Sequence, residues 1–412
     1  MMRSRVDAGW LCCVCLAVMG VGCAPSAAER RGAAKTAISL LQEGKFEEAG
    51  KEAGGVIGKD GANPEARAVA ALVRYKKAMH QFSADVRTLP MMLFSGTSNH
   101  RYFRFSLETT SKELAVVEED LSVASAEPEF DLELCLACWK VDWNQNGRID
   151  NGDERLFEIE NDGEGSSLPD GDPRRRPTFH FDRGDLFWAR AMLSFQRAVL
   201  ELLQAYRWDE VDQLRAVIAG SVQTVTIRLG SKERVARAKD LLLEGLAHAD
   251  RTRREYLAET DDDREWLPNP RQKSHPMPLP VDDALYQTWE QVTGDLSRLL
   301  SSQEGVSVAA AAQLGDHQWT QPPNGFIDIG RLFSEPGDIE IPIETLTHSH
   351  FGHDQPDGAA ESEKLLQSIF GKSYVEKMAP TPLLGRFERM KNEVQQGHES
   401  FEHKLRYLFW LN

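Results

Sequence analysis

The chain has 412 residues, more than one hydrophobic core comfortably serves, and it reads as two or three packed units. With 41% apolar residues, 27% charged residues, nine Trp and eighteen Phe, its composition is that of a folded chain and excludes disorder throughout. A net charge of −16 works against binding to nucleic acid or to anionic lipid headgroups.

At the N-terminus, Arg3 and Arg5 precede the apolar run "WLCCVCLAVMGVG". Its length suits a secretory signal and is too short for a permanent membrane span. The run ends at Gly22-Cys23, with the small residue Gly20 two positions earlier. This resembles a bacterial lipoprotein signal, although Gly20 stands where that signal usually has Leu. The resemblance implies a signal peptide over residues 1–22 and acylation of Cys23. Ordinary cleavage and an uncleaved anchor are the alternatives. Ala24 is not the Asp of an inner-membrane retention signal, so the resemblance points to the outer membrane, facing the periplasm or the exterior. Cys12, Cys13 and Cys15 leave with the signal, so Cys135 and Cys138 remain for the folded part.

Residues 23–267 form the expected first unit, a helical domain. Leu41, Gly44, Phe46 and Ala49, followed by Ile57, Asp60, Asn63-Pro64 and Ala66, are spaced so that Gly44 permits a tight turn and Pro64 opens a helix. The pattern resembles one tetratricopeptide (TPR) helical hairpin passing into the next helix. No second copy follows at the roughly 34-residue period, so a long array is not expected. Helical patterning continues over 100–140.

The string "DWNQNGRIDNGDE" begins at Asp142 and crowds oxygen-bearing side chains around one glycine. Calcium takes six to eight oxygens, and a short loop supplies them from positions 1, 3, 5, 7, 9 and 12 with glycine at 6. Counted from Asp142, the ligands are Asp142, Asn144, Asn146, the Arg148 carbonyl, Asp150 and Asp153. Gly147 falls on the turn, and Ile149 takes the position that pairs loop to core. The register resembles an EF-hand loop, and the closing Asp makes it similar to the dockerin type found in secreted bacterial proteins. Dockerins carry two such loops; here "ENDGEGSSLPDGD", with Asp162, Asp170 and Asp172, has no matching register. Calcium binding therefore stands as the expectation without a cohesin-docking role, and a metal-free Asx turn is its alternative. Residues 142–172 hold ten acidic residues against two basic ones, a density that a divalent ion would relieve. The ion would be structural, fixing the join between Lys140 and the helix expected near Asp185.

Immediately before the loop, Cys135 and Cys138 form a CxxC. A disulfide is favoured over two buried thiols, and catalysis is less expected because no thioredoxin-like strand and helix pattern surrounds the pair. The basic triplet Arg174, Arg175 and Arg176 reads as a solvated loop. Trp188, Met192, Phe195, Val199, Leu202 and Tyr206 make one apolar helix face; Val235, Ala238, Leu242, Leu246 and Ala249 make another. Asp185 is the expected N-cap of the first of these helices, which also accounts for the triplet Arg183-Gly184-Asp185.

Five prolines at 268, 270, 276, 278 and 280 define a linker over 268–281. A C-terminal, mainly helical unit over 282–412 follows, with a helix from about Asp282 to Ser302. An irregular stretch with short strands covers 314–360, and a last helix starts near Leu383 with Phe387 on its apolar face.

Within the irregular stretch, "THSHFGHD" places His348, His350 and His353 together. It resembles the metallo-β-lactamase zinc signature, but Gly352 replaces the required aspartate and the chain that follows reads as helices. A solvated loop is favoured over a metal site there, and Zn2+ is not expected. No nucleophile elbow, P-loop or dinucleotide fingerprint occurs. The expected fold class is mainly α: helical hairpins with TPR-like packing, one inserted calcium-binding loop, and a small irregular segment with short strands in the C-terminal part. The expected function is that of a non-enzymatic, calcium-binding, extracytoplasmic lipoprotein, a helical scaffold for another envelope protein. A metal-dependent hydrolase using His348, His350 and His353 is the alternative.

Overall fold

The structure, a computed structural model, describes residues 26–95, 100–143, 146–162, 166–207, 224–262, 264–273, 275, 281–314, 323–342 and 359–394. It is mainly helical. The signal region with Cys23, the position of Asn144, and the His348, His350 and His353 cluster lie outside the described residues.

Helix α1 (Ala27–Gln42) opens with a capping box, in which the Ser26 hydroxyl accepts from the Glu29 amide and the Glu29 carboxylate answers the Ser26 amide. It stops at Gly44, whose φ of +74° few other residues adopt. Helix α2 (Phe46–Ile57) then folds back on α1, burying Phe46, Ala49 and Ala53 against Ala34, Ala37 and Leu41. Asn63 starts the next helix: its Oδ1 accepts the Ala66 amide at 2.9 Å and its Nδ2 donates to the Arg30 carbonyl of α1 at 2.8 Å. Helix α3 (Pro64–Ser95) runs 32 residues, roughly a whole TPR period rather than half of one. The TPR-like spacing thus ends with the first hairpin.

Helix α4 (His100–Ala124) packs along α3, and α6 (Arg183–Ala205) packs on α4. Between them the chain makes a long excursion, closed at its base by two short antiparallel strands, β1 (Leu132–Leu134) and β2 (Phe179–Phe181), with Leu132 opposite Phe181. These strands stand in the first unit, where none was expected. The excursion contains the short helix α5 (Asn151–Glu154). Helix α7 (Lys232–Ala258) forms with α6 the most extensive helix contact, and Gly245 makes that closeness possible: a Cβ there would lie 2.5 Å from the Phe195 ring.

Three expectations for these helices change. The N-cap of α6 is Asp182, while Asp185 is its partner three residues on in a capping box. Val199 of the expected apolar face is 53% exposed, because α6 lies between α4 and α7 and buries Phe187, Ala191, Ser194 and Ala198 instead. The face of α7 stands largely as read, with Val235, Ala238, Leu246 and Ala249 buried and Leu241 added.

Beyond α7, Pro268 and Asn269 are buried rather than loose. Asn269 Nδ2 donates to the Tyr256 carbonyl at 2.9 Å, and the Tyr286 hydroxyl donates to the Pro268 carbonyl at 3.0 Å. These bonds hold the described start of the Pro-rich segment against α7 and α8 (Asp283–Leu300), which starts about where expected, with Asp282 as its cap. Strand β3 (Thr224–Ile227) pairs antiparallel with β6 (Ile339–Pro342), which ties the chain before that segment to the chain after it. The C-terminal part also holds β4 (Val306–Ser307), α9 (Val308–Leu314), β5 (Phe326–Ile327), α10 (Ile329–Ser334), α11 (Ala359–Phe370), β7 (Tyr374–Val375) and α12 (Leu383–Val394). Strand β5 is the centre of a three-stranded sheet between β4 and β7. Phe387 of α12 is 44% exposed, so this residue does not join the apolar face expected of it.

Candidate functional site

The excursion between β1 and β2 begins at a disulfide: Cys135 and Cys138 are bonded, with Cα atoms 5.3 Å apart across a 3-10 turn. Trp139 follows it into a cluster with Phe46, Trp143 and Phe157, whose rings meet edge to face at 5.2 Å (Phe46 to Trp139) and 5.3 Å (Trp143 to Phe157). Such pairs contribute about 0.5–1.5 kcal/mol each beyond the area they bury. Lys76 Nζ lies 4.5 Å from the Phe46 ring centroid and 5.5 Å from that of Trp143. The aromatic cluster docks the 142–153 loop onto α2 and α3.

Within the loop the side-chain oxygens turn inward onto the backbone. Asp142 Oδ1 accepts the Asn146 amide at 3.0 Å and Oδ2 accepts the Gly147 amide at 2.8 Å. Gly147 makes the turn at φ +88°. Asn146 Oδ1 accepts the Arg148 amide at 3.0 Å, and its Nδ2 donates to Asp150 Oδ2 at 2.8 Å. Asp150 is also the N-cap of α5, accepting the Gly152 amide at 2.9 Å. Asp153, only 3% exposed, closes the ring: its Oδ1 accepts the Trp143 amide at 2.8 Å and its Oδ2 the Asp150 amide at 3.1 Å. The first and twelfth positions thus grip the two ends of one curl. Ile149 departs from expectation. It is 46% exposed, and Trp143 and Phe157 anchor the loop to the core instead.

The arginine triplet is solvated at Arg174 and Arg176 but not at Arg175. Arg175 is buried, and its Nη2 lies 2.7 Å from Glu158 Oε2 while its Nη1 pairs with Asp170. Arg176 Nε meets the other oxygen of Glu158 at 2.8 Å, and Arg174 meets Asp172 at 2.7 Å. The acidic stretch is therefore neutralised in part by its own arginines, and charge relief alone does not call for a divalent ion.

A second acidic group was not legible in the sequence. At the start of α6, Asp182 Oδ1 accepts the Gly184 amide at 2.6 Å, while fully buried Tyr256 donates to Asp185 Oδ1 at 2.5 Å. Glu259, beyond the end of α7, lies beside Asp182 and accepts from Gln272 Nε2 at 3.3 Å. Burial first, then the neighbouring Asp182, pushes Glu259 up to about 11 and raises Asp185 well above its ordinary range. Glu259 therefore holds its proton at neutral pH.

The Asp142, Asn146, Arg148, Asp150 and Asp153 positions are thus gathered in one loop. A further trio, Glu118, Glu244 and His248, comes together elsewhere. Only the four-residue spacing of Glu244 and His248 hinted at that trio. Comparison of the chain with protein-family models, with curated proteins and with solved structures finds no match in any of the three. Among the described residues no helix is long and apolar enough to cross a membrane.

Proposed function

We propose that the protein is a non-enzymatic, calcium-binding, extracytoplasmic lipoprotein, anchored through Cys23 to the outer membrane, whose helical surfaces bind another envelope protein. The observation that carries the calcium part is the double grip of Asp142 on the Asn146 and Gly147 amides around Gly147. With Asp153 closing the same ring, positions 1, 5, 9 and 12 lie along one short curl, at the spacing from which a loop supplies oxygens to a hard cation. The ion would be structural, stiffening a loop that the Trp139, Trp143 and Phe157 cluster sets against the first hairpin. The Cys135–Cys138 disulfide supports an oxidising, extracytoplasmic setting. For the partner, the support is a groove of about 940 Å³ between α2, α3 and α4, where Tyr102 and Phe105 are exposed at 40% and 65%.

Chelated protein titrated with millimolar Ca2+ is expected to melt higher, by the equivalent of about 2.7 kcal/mol once the ion reaches a hundred times its Kd. Asp142→Ala should abolish that rise. A melting temperature indifferent to calcium, or a rise that survives Asp142→Ala, removes the calcium reading. Pull-down of the acylated protein from membranes, compared with a Cys23→Ser form, tests the anchor and the partner together.

A further inference from the structure

Helices α4, α6 and α7 meet at a cluster outside the loop. Glu118 of α4 and Glu244 and His248 of α7 each bring one ligand atom to within 4.8 Å of the others, the one such trio of His, Cys, Asp or Glu among the described residues. Glu244 and His248 are four residues apart, so one turn sets them on the same face of α7, with His248 Nε2 3.7 Å from Glu244 Oε1. Arg190 of α6 fixes the third member. Its Nε and Nη2 both donate to Glu118 Oε1, at 2.9 and 2.8 Å, and its Nη1 donates to Ser125 Oγ at 3.0 Å. Phe187 stacks on the His248 ring, with centroids 6.0 Å apart.

This grip uses one oxygen of Glu118. The other, Oε2, is buried with no hydrogen-bond partner among the described residues, and so is His248 Nε2. A buried polar atom left in that state costs about 1–3 kcal/mol. Burial, and next the Arg190 charge, hold the His248 imidazole down to about 4, so at neutral pH the ring is in the form that ligates metals.

We propose that Glu118, Glu244 and His248 form a binding site for a zinc-type transition-metal ion that clamps α4 to α7. Two ligands one helical turn apart plus a third from a neighbouring helix leave a fourth position for water, the open tetrahedral set that such ions accept. One cation would engage both orphaned atoms. Arg190 would act on the site through Glu118, turning Oε2 toward the ion, as hydrogen-bonded ligand carboxylates generally are. The positive charges of Arg190, Arg197 and Arg251 also bear on this cluster and oppose any cation. Binding must therefore come from nitrogen and carboxylate ligation rather than from charge. That selects Zn2+ or Co2+ over Ca2+ and separates this site from the 142–153 loop.

The full chain, chelated and then saturated with Ca2+, is titrated with Zn2+ against a chromophoric chelator and with Co2+ by its visible absorption. One equivalent should bind, with a tetrahedral cobalt spectrum, in the unaltered protein and in Asp142→Ala. Glu244→Gln, at a position whose side chain is 45% exposed, and His248→Gln should each weaken binding at least tenfold, with circular dichroism unchanged. No uptake of either metal overturns the proposal. So does uptake that survives both variants and vanishes in His348→Ala/His350→Ala.

Discussion

Two acidic regions of this protein manage like charges in opposite ways. Between 142 and 176 the carboxylates, buried Asp153 and Glu158 included, find cations and backbone amides: Arg175 and Arg176 on Glu158, Arg174 on Asp172, the loop amides on Asp142 and Asp153. At the junction of α6, α7 and the Pro-rich segment, Asp185 and Glu259 are surrounded by Tyr256, Gln272 and other acids, and both are pushed toward their protonated forms. Residue density in the sequence marks the first region and not the second. What sets the cost of a carboxylate is whether its surroundings stabilise the charged form.

The largest expected effect breaks the first arrangement. Arg175→Met leaves Glu158, 5% exposed, with only the half-exposed Arg176 as a cationic partner. Removing one member of a buried pair typically costs about 3–5 kcal/mol. Adding Glu158→Gln to that variant should recover much of the loss, read as the urea midpoint of the double variant against the single one. Equal midpoints would mean that Arg175 acts through packing alone.

The second effect probes the protonated cluster. Tyr256→Phe takes the donor from Asp185 and should cost about 1–3 kcal/mol. The pH dependence has a definite sign. Glu259 titrates higher folded than unfolded, so its proton stabilises the native state fully below the unfolded carboxylate pKa, and this is lost as pH rises toward about 11; Asp185 is shifted in the same direction. The urea midpoint should fall from pH 6 to pH 9.5, and Glu259→Gln, which keeps a neutral group there, should flatten that slope. A slope unchanged in Glu259→Gln would assign it to other groups.

What could be read from sequence was whatever lies within about one turn or one loop. Leu41 to Ala66 announced the first hairpin, the residues from Asp282 the start of α8, and the spacing from Asp142 to Asp153 the curl around Gly147. Contacts made across the chain left no local mark. Asp182 and Glu259 are far apart in sequence, as are Glu118 and His248, and each looked like an ordinary charge on a helix end or face. The departure at Arg175 has the same origin: it reads as solvated, like exposed Arg174 and Arg176 beside it, until Glu158 and Asp170 close on it. Asp185 was mistaken for a cap because both ends of a capping box can be Asp, and only the backbone shows which of them precedes the helix.

The smallest effect separates two roles of one side chain in the loop. Asp150 Oδ1 caps α5 and Oδ2 accepts from Asn146, and neither bond requires an ion. Asp150→Ala in chelated protein should therefore cost about 1 kcal/mol, the ordinary loss of a cap. If Asp150 also helps hold calcium, directly or through water, the difference between variant and parent must widen when calcium is added, because the ion stabilises only the loop that binds it well. Melting curves of both proteins with chelator and with millimolar calcium decide the matter. A gap that stays the same in the two conditions leaves Asp150 a cap alone, and the loop would then bind through Asp142, Asn146 and Asp153 without it.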